Sequence, residues 1–88
     1  MKERCRFIEE FAGHKLTDNG YYIIRGNLID LKNIYSIEPE YHNNKRSIYI
    51  KIHTRTGGKN IIKLFGKSEY NFIVRRFNEL LNTTFEEI

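Results

Sequence analysis

Cysteine, proline, alanine and tryptophan are almost missing from this chain of 88 residues: Cys5, Pro39 and Ala12 are each the only one of their kind, and there is no tryptophan. One cysteine excludes an internal disulfide. No apolar run approaches the ~20 residues that cross a bilayer, and the first ten residues lack the uninterrupted apolar segment of a secretory signal. These absences lead us to expect a cytoplasmic protein without membrane insertion. An excess of acid is also lacking. Fifteen Lys and Arg against eleven Asp and Glu give a net charge of +4. That excludes a protein that imitates DNA and admits nucleic acid or an acidic protein as a partner.

Chemical signatures are equally scarce. There is no Cys-x-x-Cys or His-x-x-x-His spacing for a metal. Arg55-Thr56-Gly57-Gly58-Lys59 is basic and glycine-rich but lacks phosphate-loop spacing and opens no helix, so it reads as a hairpin turn. Cys5, His14, His42 and His53 contain the residue types of a nucleophilic site. Cys5, however, falls on the apolar side of an expected helix, where a thiol behaves as a small hydrophobe. Glu38 and Glu40 share one side of a strand and read as a solvated pair. We therefore expect no catalysis, no metal and no cofactor.

What is present is patterned. In the stretch 47–65, Ile48, Ile50 and Ile52 alternate with Tyr49, Lys51 and His53, the period of a strand with one buried and one wet face. Gly57-Gly58 turns the chain, and 61–65 returns beside it. Residues 68–82 read as an amphipathic helix, with Ser68 as N-cap, Glu69 in the first turn and a stripe of Tyr70, Ile73, Val74, Phe77, Leu80 and Leu81. Residues 2–12 read as a second helix ended by Gly13, with a strand through 14–16 as the competing reading. Thr17-Asp18-Asn19-Gly20 is a turn. Strands are expected at 21–25 and 28–31 around Gly26-Asn27, and at 34–41, where Tyr35, Ile37, Pro39 and Tyr41 fall on one side and Ser36, Glu38 and Glu40 on the other. Pro39 has no N–H and belongs at a sheet edge or bulge. Residues 83–88 form a tail that Phe85 and Ile88 pin down.

The runs Leu16-Thr17-Asp18-Asn19-Gly20-Tyr21-Tyr22-Ile23-Ile24 and Leu28-Ile29-Asp30-Leu31-Lys32-Asn33-Ile34-Tyr35-Ser36-Ile37-Glu38 resemble the bacterial pleckstrin-homology-like domains, with residues 16–81 covered. That family has seven strands, and two more do not fit before Thr17. The resemblance implies a binding module with no particular ligand. The expected fold is thus a single α+β domain, 1–88. It has an N-terminal helix, a curved antiparallel sheet of about five strands and a C-terminal amphipathic helix, with a partial barrel of the pleckstrin-homology kind as a variant.

The surface that stands out is the wet face of the central hairpin. Tyr49, Lys51, His53 and Lys63 would share it with Ile61 and Phe65, and Arg46, Arg55 and Lys59 lie at its ends. Arg75 and Arg76 form a smaller basic patch, with Glu79 placed to neutralise part of it. Six Tyr and six Phe exceed what so small a core holds, and exposed aromatics favour interfaces. The leading expectation is a non-catalytic module that binds another protein, or itself as a homodimer. Abundant Ile, Asn, Lys and Tyr follow AT-rich codons and hint at a phage or bacterial origin, with a host complex as the target. The alternative is a single-stranded nucleic-acid binder, with rings stacking on bases and cations meeting phosphates.

Overall fold

The computed structural model of the protein describes residues 13–44 and 46–88. The chain divides into two compact units, Met1–Lys32 and Asn33–Ile88. The helix expected at 2–12 lies outside the described residues. The strand that competes with it is present as β1, His14–Leu16.

In the first unit β1 pairs antiparallel with β2 (Tyr21–Ile24), and β2 with β3 (Asn27–Asp30). The turn at 17–20 forms as the side chains require: Thr17 Oγ1 accepts the Tyr21 N–H at 3.0 Å and donates to Asn19 Oδ1 at 2.7 Å. The second turn is Arg25-Gly26 rather than Gly26-Asn27. Both Arg25 and Gly26 have positive φ, and Ile24 faces Asn27 across the ladder. The shift moves the register by two residues, so Tyr22 rather than Ile24 faces Ile29, and Tyr22, Ile24 and Ile29 stay on one buried side. A 3-10 turn, Leu31–Asn33, follows β3.

The second unit carries β4 (Ile34–His42), β5 (Ser47–Thr54), β6 (Lys59–Leu64) and the α-helix α1 (Lys67–Leu81). The expected single sheet of about five strands is thereby corrected. There are two three-stranded antiparallel sheets, ordered β1-β2-β3 and β4-β5-β6. No ladder joins them among the described residues, so neither a continuous sheet nor a closed or partial barrel forms. The physical reason is local: the short strands β1–β3 and the long ones β4–β6 each satisfy their backbones with sequence neighbours. Ile48, Ile50, Ile52, Ile62 and Leu64 are buried beside Tyr70, Ile73, Val74 and Phe77, and α1 packs on β5 and β6.

The β5–β6 turn needs glycine at one position. Gly57 has φ +97 and its N–H reaches the Thr54 carbonyl at 3.1 Å, while the Thr54 N–H reaches the Gly58 carbonyl at 3.0 Å. That is a type I turn closed by a left-handed residue and a bulge. Pro39 sits on β4, an edge of its sheet. Tyr35 departs from the expected alternation. The β4–β5 register slips between Ile34 and Ser36, so Tyr35 is the extra residue of a bulge and is 68% exposed.

Helix α1 begins without Ser68 as its cap. Gly66 is the N-cap and makes no side-chain cap bond. The first turn is held from inside instead, where Glu69, 1% exposed, accepts the Phe65 N–H on Oε1 at 2.7 Å. The buried arc includes Glu69 and Phe72 beyond the expected stripe, and Leu80 and Leu81 are only half-buried. The helix ends on Asn82 in the left-handed conformation. The tail then folds back along α1. Asn78 bonds both the N–H and the carbonyl of Phe85 (2.8 and 3.0 Å), and Asn71 does the same for Ile88 (2.8 Å each). Two amide side chains two turns apart thus act as peptide groups of a missing strand.

Candidate functional site

The β4–β5 register brings most of the sequence-derived candidates together with partners that sequence spacing does not name. Glu38 lies opposite Lys51, Glu40 opposite Tyr49 and Ser36 opposite His53. The outer face is therefore a cross-strand network. The His53 ring donates from Nε2 to Glu38 Oε2 at 2.8 Å, and that of His42 to Glu40 Oε2 at 2.7 Å. The Lys51 ammonium sits 3.0 Å from Glu40 Oε1 and 3.9 Å from Glu38 Oε2. Tyr49 stacks at a tilt on His42, with centroids 4.6 Å apart. Three central candidates, Tyr49, Lys51 and His53, are thus engaged inside the sheet by residues of β4. The missed partners, Glu38, Glu40 and His42, follow the visible alternation of β4, but the register that sets them beside the cations of β5 is read only from the ladder.

The network holds both carboxyls below their ordinary value of 4.5. The hydrogen bond from His53 is the main cause at Glu38, and those from His42 and then Lys51 at Glu40. The Lys51 ammonium is pushed above 10.5, chiefly by its bond to Glu40. A lowered carboxyl contributes stability that is present above the unfolded value and lost as pH falls through the folded one. A raised ammonium contributes stability that is present below 10.5 and lost as pH rises through its folded value. In His53→Ala, the Glu38 carboxyl should titrate closer to 4.5 and Glu40 should change little. Carboxyl carbon NMR against pH reads both. An unmoved Glu38 would show that the His53 bond is not what holds it.

The remaining candidates are dispersed. Lys63 lies opposite Tyr49 and Lys59 opposite His53, both exposed on β6. Neither makes an ion pair among the described residues. Arg46 is exposed in the β4–β5 loop and Arg55 in the β5–β6 turn, where its N–H bonds the Asn33 carbonyl at 2.8 Å. Arg75 and Arg76 are each paired with a carboxylate. Arg76 pairs with Glu79 at 3.3 Å and Arg75 with Glu87 of the tail at 3.1 Å.

An open cleft of about 370 Å³ is lined by Tyr35, Ser36, His53, Thr54, Gly57 and Gly58. It places a hydroxyl, an imidazole and, through His53, the Glu38 carboxylate in one neighbourhood. No hydrogen bond joins Ser36 to the ring, and the Thr54 hydroxyl accepts the Gly58 N–H at 2.8 Å and pairs with the Thr56 hydroxyl at 3.2 Å. Tyr70 does not line this cleft, and burial pushes its phenol up to about 12. Among the described residues no three metal-ligating side chains cluster, and no helix is long and apolar enough to cross a membrane.

The same face of β6 shows large apolar groups to solvent. Ile61, opposite Lys51, is 45% exposed, and Phe65, just past the strand, is 78% exposed. No protein-family model matches this chain, and no curated protein or solved structure matches it.

Proposed function

We propose that this protein is a non-catalytic binding module that engages another protein through the outer face of the β4–β5–β6 sheet. The observation that carries this reading is the exposure of Ile61 and Phe65 on β6 next to a charge network that is already internally paired. Helix α1 packs on the opposite face of the same strands, where Ile48, Ile50 and Ile52 are buried. The outer face combines apolar groups on β6 that gain from being covered with polar groups on β4 and β5 that are already paired with one another.

The alternative, a single-stranded nucleic-acid surface of Tyr49, Lys51, His53 and Lys63, has less support. Its ring stacks on His42, and two of its cationic candidates bond carboxylates. Phosphates would have to compete with Glu38 and Glu40 at close range. The test is affinity capture from host lysate with the intact protein and with the double variant Ile61→Ser/Phe65→Ser, with nuclease, at low and high salt. The expected result is a defined protein that survives nuclease and high salt. Its affinity should fall about tenfold or more in the variant, as truncating anchor residues does. Recovery of nucleic acid, lost steeply as salt rises, would overturn the proposal.

A further inference from the structure

We infer that the free edge of β6 accepts an added strand from the partner, an extended acidic segment of pattern Glu-x-Val-x-Glu or its chemical equivalent. This rests on the protein-binding reading above and names the partner's chemistry.

Strand β6 pairs only with β5 among the described residues. The direction of its free backbone groups follows from the turn. Thr54 and Gly58 form a bonded pair through the Thr54 N–H. In an antiparallel ladder bonded and non-bonded pairs alternate. Asn60, Ile62 and Leu64 therefore bond β5, while Lys59, Ile61 and Lys63 aim their N–H and carbonyl groups outward. Phe65 continues that alternation, and its N–H is taken at 2.7 Å by the Glu69 carboxylate. The molecule thus sets a carboxylate on the last outward amide of this edge.

The side chains of the same residues supply the charge. Lys59, Ile61 and Lys63 stand on the outer face, all exposed, and the two lysines make no ion pair among the described residues. One strand inward, the sheet shows what such a row accepts: Lys51 and His53 of β5 are met across the ladder by Glu40 and Glu38 of β4. An incoming strand with two acids flanking one apolar residue would repeat that pairing, laying carboxylates on Lys59 and Lys63 and a side chain on Ile61. The pattern is symmetric, so it matches in either strand direction. A second copy is a poor occupant. Two-fold pairing of β6 about Ile61 sets Lys59 against Lys63 of the other copy, and like charges opposed across a ladder repel. Lysines on an edge also keep identical chains apart, and this edge rejects its own kind while admitting an acidic strand.

The experiment titrates the isotope-labelled protein with three capped peptides. One is Thr-Glu-Thr-Val-Thr-Glu-Thr, one has both Glu replaced by Lys, and one has the first composition with the two Glu adjacent. Amide exchange and chemical shifts report the site. The expected result is binding of the first peptide with protection of the Lys59, Ile61 and Lys63 amides. Binding should be about tenfold weaker for the other two, and about tenfold weaker in Lys59→Glu/Lys63→Glu, which should instead favour the lysine peptide. Equal binding of all three peptides, or protection elsewhere, would overturn the inference and leave the lysines as guards against self-association. Protection of the same amides without peptide as concentration rises, or by an oligonucleotide alone, would also overturn it. The module reading falls separately, through the Ile61→Ser/Phe65→Ser capture.

Discussion

Phe77→Ala is expected to lower the stability of the second unit by about 3–5 kcal/mol, the cost of emptying a buried aromatic site that cannot fully collapse. Phe77 is 0% exposed and lies on the buried face of α1 with Tyr70, Ile73 and Val74. A domain of this size has roughly 4–13 kcal/mol in total, so the variant should sit near its folding threshold at room temperature. Phe77→Leu keeps most of the volume and should cost about 1–1.5 kcal/mol. Urea unfolding followed by circular dichroism measures both, with an unchanged m-value required for the comparison to hold. An unfolding free energy for Phe77→Ala within about 1 kcal/mol of the parent's would mean that α1 is not what closes this core.

Glu69→Ala is expected to cost about 1.5–3 kcal/mol, the range for a hydrogen bond to a charged group whose loss strands its partner. The Glu69 carboxylate is 1% exposed and accepts the Phe65 N–H at the point where β6 gives way to α1. Without it the chain loses the contact that joins the strand end to the first helical turn. Glu69→Gln keeps an oxygen acceptor of the same reach and should recover about half of the loss, since the bond is then neutral rather than charge-assisted. Urea unfolding gives the energies. Hydrogen exchange at the Phe65 amide gives the site, and it should accelerate in Glu69→Ala more than in Glu69→Gln. Equal stability of Glu69→Ala and the parent would show that this buried carboxylate holds nothing in place.

Glu69 is also instructive about reading sequence. A glutamate in a first helical turn reads as a surface charge placed for the helix dipole, and its neighbour Ser68 reads as the cap. Both readings use only residues near in sequence. The helix enters from Gly66 in an extended conformation, which turns Glu69 inward and leaves Ser68 exposed. The Asn71 and Asn78 amides that hold the tail are a similar case. Asparagine on a helix carries no local sign that its partner is a backbone group seven or seventeen residues later.

The outer sheet face was half legible. The alternation of Tyr49, Lys51 and His53 is visible in the residues, and so is that of Ser36, Glu38 and Glu40. That the two rows meet, with His53 on Glu38 and Lys51 on Glu40, depends on strand register, which an alternating pattern leaves open by steps of two. The pairing turned a surface read as basic and nucleic-acid-like into one whose central cations are matched.

By itself the sequence determined the local elements: the period-two strands with Ile48, Ile50 and Ile52 inward, the left-handed turn at Gly57, and the apolar stripe of Tyr70, Ile73, Val74 and Phe77. Each depends on the φ and ψ preferences and side-chain spacing of residues close in the chain, so a short window contains the whole cause. Only the tertiary structure decided that the strands divide into two sheets of three, that Tyr35 bulges out of β4, that Glu38 and Glu40 are the partners of His53 and Lys51, and that Glu69 is buried. Each of these depends on which distant backbone satisfies a given N–H or carboxylate, and that choice is made by packing.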